Sequence, residues 1–252
     1  VSISIDLSGQ TAVVTGGGSG IGEAISRTLG RAGAAVGIAD LSQDAAERVA
    51  KEIEADGGRA AGVAVDVADR ASIEAGFAEL RDRLGPMDHL VNNAAAWAIK
   101  SFADHTAGDI ERTIAITLVG SINATQAALP DLVERGGSVV VISSDGARIG
   151  EPWMTVYAGA KSGLIGFAKS LAKETGRNGV RVNVIAPGTT MTPGSAAFIE
   201  RAGGPEKLAR TYPLGRIGDP QDIANAAVFL VSPLASWITG QVLSVSGGFT
   251  MV

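Results

Sequence analysis

The chain has 252 residues, with 46% hydrophobic and 19% charged side chains and a formal net charge of −5, a balance that excludes intrinsic disorder. There is no cysteine, which removes disulfides, thiolate catalysis and Cys-ligated metals together, and two histidines, His89 and His105, are too few for a His-rich centre, so no metal is expected. The acidic balance argues against nucleic acid or an anionic membrane as partner, no apolar run approaches the ~20 residues of a membrane span, and Val1–Gly9 lacks the basic start and apolar core of a signal peptide. The expectation is a cytoplasmic protein made of one α/β domain over 1–252.

In chain order, β-rich runs alternate with helical stretches. Strands are expected at Thr11–Thr15, Ala34–Asp40, Arg59–Asp66, His89–Asn92, Ser138–Ser143, Arg181–Ala186 and Gln241–Val245. Helices are expected at Ile21–Ala32, Gln43–Ala55, Ala71–Leu84, Ala107–Leu132, Thr155–Arg177 and Pro220–Val231. Runs such as VVVIS and RVNVIA are continuously apolar, as strands covered on both faces are. Regular alternation implies parallel strands, right-handed crossovers and a doubly wound sheet of about seven strands with ligand crevices at the strand carboxyl ends. The stretch Gly188–Leu214, rich in Gly, Pro and Thr, fits neither strand nor strong helix and reads as a substrate loop or lid.

After the first strand comes Thr15-Gly16-Gly17-Gly18-Ser19-Gly20-Ile21-Gly22, a glycine turn opening a helix. Glycines permit a tight turn and close approach of a pyrophosphate, and the helix amino end offers free N–H groups and partial positive charge. Asp40 ends the second strand, where a carboxylate accepts from the adenosine ribose hydroxyls; Ser19 and Leu41 supply no cation for a 2′-phosphate, so NAD is favoured over NADP.

Tyr157 and Lys161 stand four apart in VYAGAKSG, on one face of a helix, and Ser144 ends the strand VVVIS thirteen residues earlier. Tyrosine is a poor base at neutral pH, but an adjacent ammonium favours its anion while a serine hydroxyl bonds the substrate oxygen. The three suit proton transfer to or from an alcohol or carbonyl during hydride transfer. His89 reads as a partly buried strand residue and His105 as surface at a helix entry. Trp97, Trp153 and Met154 fall on loops at the strand-end crevice, with Met191 and Phe198 in the long loop. They read as an apolar substrate lining suited to a cyclic or aromatic secondary alcohol.

Taken together, TGGGSGIG, Asp66-Val67, VNNAA, ISS, YAGAK, VRVNVIAPG and ITGQVLSVSGG make the chain resemble a short-chain dehydrogenase/reductase along nearly its whole length. The resemblance implies a Rossmann-like doubly wound fold, an NAD-dependent alcohol dehydrogenase or ketoreductase, and a homotetramer. It puts Gly16, Ser19, Gly20, Ile21, Gly22, Asp40 and Leu41 at the cofactor, with Asp66 and Val67 at the adenine and Asn93 near a ribose. Pro187, Gly188, Thr190 and Thr192 come by the nicotinamide, with Lys161 on its ribose beside Tyr157. Two positions depart from the pattern: Ala95 replaces the glycine of NNAG, and Thr117 stands where the family carries an Asn of a proton relay. The phrases SSDGARIG and GQVLSVSGGFTMV are similar to those of members acting on 2-hydroxycyclohexanecarboxyl-CoA, for which Arg148 would face a carboxylate or thioester. Reduction of a 3-oxoacyl thioester is the enzymatic alternative, and an NAD-binding regulator without turnover the alternative of another kind.

Overall fold

The computed structural model describes residues 4–252; Val1–Ile3, the start of the segment read as lacking a signal peptide, lie outside the described residues. Seven strands form one parallel sheet in the order β3-β2-β1-β4-β5-β6-β7. They are β1 (Thr11–Thr15), β2 (Ala35–Asp40), β3 (Arg59–Ala64), β4 (His89–Asn92), β5 (Ser138–Ile142), β6 (Arg181–Pro187) and β7 (Val242–Val245). The helices are α1 (Gly20–Arg31), α2 (Gln43–Ala55), α3 (Arg70–Leu84), α4 (Ala107–Ile114), α5 (Gly120–Arg135), α6 (Gly146–Ile149), α7 (Thr155–Thr175), α8 (Ala196–Arg201), α9 (Pro205–Ala209) and α10 (Pro220–Val231).

The continuous apolar runs are explained by burial on two faces. Along β5 alternate residues go to opposite layers. Val139 and Val141 pack with Phe77 and Leu80 of α3, Leu132 of α5 and Leu164 of α7. Val140 and Ile142 pack on the other side with Ile25 and Leu29 of α1, Val49 of α2 and Ile223 of α10. Strand order reverses between β1 and β4, so the crossovers on either side diverge and leave a crevice at the carboxyl ends of those two strands.

Two expectations are corrected. The helix expected over Ala107–Leu132 is α4 and α5 joined by a π-helical turn, Ala115–Val119. Thr117, fully buried in that turn, both accepts from Ala96 N and donates to Ala96 O (3.1 Å each). The extra residue of the turn therefore serves a tertiary contact to the loop after β4. The stretch Gly188–Leu214 is about half helical, holding a 3₁₀ turn at Pro193–Ser195 and then α8 and α9. Ile199 and Tyr212 of this stretch and Ile217 just beyond it are buried together in a small core of their own, with Leu208 and Phe249 against them. Tyr212 stacks on Phe249, with 5.0 Å between ring centroids.

Candidate active site

A cavity of about 520 Å³ runs along the carboxyl ends of the strands, from Asp40 and Asp66 at one end to Trp97, Met154 and Phe198 at the other. Its floor is the glycine turn. A Cβ on Gly22 would stand 2.0 Å from Gly16 O, and one on Gly16, which has a φ of +63°, would stand 3.0 Å from Ala94 Cα, so neither position admits a side chain. Ser19 precedes α1 but makes no side-chain capping bond, which leaves the first amides of that helix to face the cavity. Asn93, just past β4, ties the switch point together: its Nδ2 donates to Thr15 O (3.1 Å) and Gly16 O (3.0 Å).

Asp40 is held in place by backbone donors, Gly18 N to Oδ2 (2.9 Å) and Ser42 N to Oδ1 (3.0 Å). Arg48 of α2 also reaches this turn, donating to Gly18 O (2.8 Å), a cation that reading the turn and strand end alone did not bring in. It is committed to Glu23 (2.7 Å) and Glu52 (3.2 Å), while Arg27 pairs with the same two carboxylates. With Asp40 added, the corner carries three carboxylates against two guanidiniums.

At the other end, α7 is sutured to β5 through Lys161: Ser143 Oγ donates to Lys161 O (3.0 Å), and Lys161 Nζ donates to Ile142 O. The lysine is 2% exposed, and burial pushes its pKa down to about 7. One helical turn earlier, Tyr157 places its ring centroid 5.7 Å from Lys161 Nζ, and burial moves the phenol up from its ordinary value. Trp97 meets the Tyr157 ring edge-on at 5.2 Å between centroids. Its loop is the one clamped by Thr117, so the π-helical turn and the tyrosine are linked through two contacts. Ser144 lines the same cavity, and its Oγ accepts from Gly146 N (3.1 Å), which leaves the hydroxyl proton free to point elsewhere.

The cavity is lined by Gly16, Ser19, Gly20, Ile21, Asp40, Leu41, Asp66, Val67 and Asn93, and farther along by Ser144, Tyr157, Lys161, Pro187, Gly188, Thr190 and Thr192. Gly22 lies under it, against Gly16. Of the expected substrate contacts, Trp97, Met154 and Phe198 line the cavity; Arg148, Trp153 and Met191 do not. Arg148 is turned toward β7 instead, donating to Ser244 Oγ (2.5 Å) and Val252 O, because the buried Asp145 beside it bonds that same serine. Trp153 adopts a positive φ of 64° and stacks under the Arg201 guanidinium of α8 at 4.4 Å, and Met191 is exposed on the outside of its loop. Glu151, Arg112, Tyr212 and Phe249 also line the cavity and were missed. Glu151 sits on the same strand-end loop that singled out Trp153 and Met154, so loop position alone could have found it. The other three come from distant elements and leave no local signal. Among the described residues there is no cluster suited to a metal ion, and no helix is long and apolar enough to cross a membrane.

Residues 16–250 match the sequence profile described as enoyl-(acyl carrier protein) reductase. The 7alpha-hydroxysteroid dehydrogenase of Escherichia coli (strain K12) is 37% identical over 98% of this chain and 96% of its own. The 3-oxoacyl-[acyl-carrier-protein] reductase FabG of Aquifex aeolicus is 39% identical over 97% of this chain and 98% of its own. A crystal structure from Brucella melitensis, titled short-chain dehydrogenase/reductase SDR: glucose/ribitol dehydrogenase, superposes with a TM-score of 0.93 at 30% identity, covering 99% of this chain and all of that one. With the parallel sheet, the glycine turn at the switch point and the Tyr157–Lys161 pair on α7, these likenesses settle the family: the chain is an oxidoreductase belonging to the short-chain dehydrogenases/reductases.

Proposed function

We propose that the protein is an NAD(H)-dependent dehydrogenase interconverting a secondary alcohol, cyclic or aromatic, with its ketone, using Ser144, Tyr157 and Lys161. The observation that carries this reading is one continuous cavity that joins Asp40 and the glycine turn to Tyr157 and Ser144. Its residues fit a nicotinamide dinucleotide. The side-chain-free floor at Gly16 and the uncapped start of α1 suit the pyrophosphate, Asp40 the adenosine ribose, Asp66 and Val67 the adenine, and Pro187, Gly188, Thr190 and Thr192 the nicotinamide end. When bound, the cofactor supplies the hydride acceptor or donor.

The remaining chemistry belongs to the chain. Ser144 donates its hydroxyl proton to the substrate oxygen, since Gly146 N already occupies an acceptor site on Oγ. Tyr157 Oη takes the alcohol proton in oxidation and returns it in reduction. Burial opposes charge on both Tyr157 and Lys161, while an ammonium beside the phenol favours the phenolate, so the proton states of the two groups are linked. The Lys161 bond to Ile142 O holds the ammonium at the end of β5. Trp97, Met154 and Phe198 exclude water and suit a ring.

The acidic corner around Asp40 supports NAD, because Arg48 and Arg27 are already neutralised by Glu23 and Glu52. Oxidation of cyclohexanol with either cofactor tests this. NAD should give the higher kcat/KM, and Asp40→Ala should shrink its advantage by about tenfold or more, the worth of charge-assisted bonds to the ribose. Faster turnover with NADP would overturn the assignment. The 39% identity to the Aquifex reductase favours reduction of a 3-oxoacyl thioester as a second reading. The exposed Trp237, Leu243 and Met251 are read as contacts between copies in a homotetramer.

A further inference from the structure

Four carboxylates line the cavity: Asp40, Asp66, Asp145 and Glu151. Three of them have donors from the chain. Asp40 accepts from Gly18 N and Ser42 N, Asp66 from Ala68 N (2.9 Å), and Asp145 from Ser244 Oγ (2.6 Å). Glu151 is half-buried on the turn between α6 and α7, and among the described residues its carboxyl has neither hydrogen bond nor ion pair. Burial alone acts on it and raises its pKa. Glu151 O accepts from Met154 N (3.3 Å), and the stem of the side chain lies against Gly146.

Its place matters. A Cβ on Gly146 would lie 3.2 Å from Glu151 Cβ and 3.4 Å from Ser144 Oγ, so the glutamate stem and the Ser144 hydroxyl flank one small gap that glycine keeps open. An ionised carboxylate is acceptor-only, so a substrate that displaces water from this half-buried head group satisfies it only by bringing a donor. A substrate held by Ser144 can carry that donor beside its reacting oxygen. A thioester or ketone oxygen is itself an acceptor and offers nothing, and an anionic substituent is repelled. An ammonium would bring a further cation into a cavity that already holds Lys161 and Arg112. A neutral hydroxyl meets these conditions, carried on a substrate that fills the cavity lined by Trp97, Met154 and Phe198.

We infer that Glu151 is a specificity-determining residue that accepts a hydrogen bond from a second substrate hydroxyl, so that the preferred substrates are vicinal diols and the matching α-hydroxyketones. The inference rests on the alcohol dehydrogenase reading above and names its substrate class more narrowly. The test is steady-state oxidation of cyclohexanol, cis-1,2-cyclohexanediol and trans-1,2-cyclohexanediol by the wild type, Glu151→Gln and Glu151→Ala, with NAD and with NADP. In the wild type one diol should exceed cyclohexanol in kcat/KM by about tenfold or more, mainly through KM, as expected for a bond to a charged group. Glu151→Ala should bring that ratio close to one, whereas Glu151→Gln, whose amide oxygen still accepts, should retain part of it. A structural role for Glu151 would lower all three substrates together and leave the ratio intact. Oxidation of cyclohexanol with no preference for either diol, or a ratio that survives Glu151→Ala, overturns the Glu151 inference alone. No turnover of any of the three with either cofactor overturns the alcohol reading and the inference with it.

Discussion

The two ends of the central strands bury polar groups in opposite ways. At the amino ends of β4 and β5, every such group has a partner within the chain. His89 bonds Ser138 Oγ (2.9 Å) and Gln10 Oε1 (2.7 Å) through its two ring nitrogens. Asp88 accepts from Thr11 N (2.8 Å) and from Arg135 Nε. At the carboxyl ends, partners among the described residues run short: Asp145 Oδ2 is buried with none, the Glu151 carboxyl has none, and Tyr157 and Lys161 are both pushed toward their neutral forms. Burial depresses His89 to about 4 and Lys161 to about 7, so at pH 7 the first is neutral while the second lies close to its titration. One end spends its polar groups on cohesion, and the other leaves them for a ligand.

That contrast is broken most severely at Tyr157. Tyr157→Phe should lower kcat by about 10²–10⁴, the usual worth of a positioned acid–base group. It should leave the melting temperature equal or higher, since the phenol hydroxyl has no partner among the described residues to lose. NAD binding, followed by quenching of tryptophan fluorescence, should persist. Near-normal turnover in this variant would remove the tyrosine from the chemistry.

The amino end is sharpened by pH. His89 has a folded pKa of about 4 against an ordinary 6.5, the main cause being burial, so between those values the unfolded chain binds the extra proton. Stability is therefore fully present above about pH 6.5 and lost as pH falls through 4, by about 3 kcal/mol in total at ~1.4 kcal/mol per pKa unit. Urea midpoints at pH 7 and pH 4.5 should converge in His89→Gln relative to the wild type, with kcat at pH 7 changed less than twofold. An unchanged pH dependence in that variant would assign the acid sensitivity to other groups.

How far the sequence spoke differs between these ends too. The strands, the glycine turn, Asp40 and the Tyr157–Lys161 pair were legible because each is a local pattern: a run of β-branched residues, a spacing of four, a glycine cluster between strand and helix. The π-helical turn at Ala115–Val119 was not, because AITLV is good helix sequence and only the contact from Thr117 to Ala96, 21 residues away, selects the wider turn. The direction of Arg148 was left open for a similar reason. Its position near Ser144 is local, but its direction is set by Ser244, 96 residues on. Trp153 looked like a lining residue, and its positive φ and the stacked Arg201 were invisible until α8 was in place. Side-chain direction at a crevice is a tertiary property.

The smallest effect expected is on the stretch that closes the cavity. The chain from Gly188 to Leu214 is anchored at its start, where Thr189 N donates to Tyr212 Oη (2.8 Å) and Thr192 caps the turn before α8 through Ser195. Beyond that, its own core amounts to Ile199, Tyr212 and Ile217, against dozens of residues under the main sheet. So small a core gives a low cost of local opening. Gly203 and Gly204, both at positive φ, form a joint between α8 and α9, and Arg201 over Trp153 is the contact that latches α8 to the loop before α7. Opening would break that stacking and lift Phe198 off the cavity, while a ligand bound between Tyr157 and Phe198 would oppose it. Hydrogen exchange followed by mass spectrometry should find the amides of Ala196–Ala209 exchanging faster than those of β4 and β5 in the free protein, and slowing several-fold with NAD and a ketone product present. Arg201→Ala should raise the free-state rate while leaving β4 and β5 unchanged. Equal, strong protection of α8 and the strands in both states would make this segment a fixed wall, and the carboxyl end of the sheet would then owe its unpaired groups to a rigid cleft.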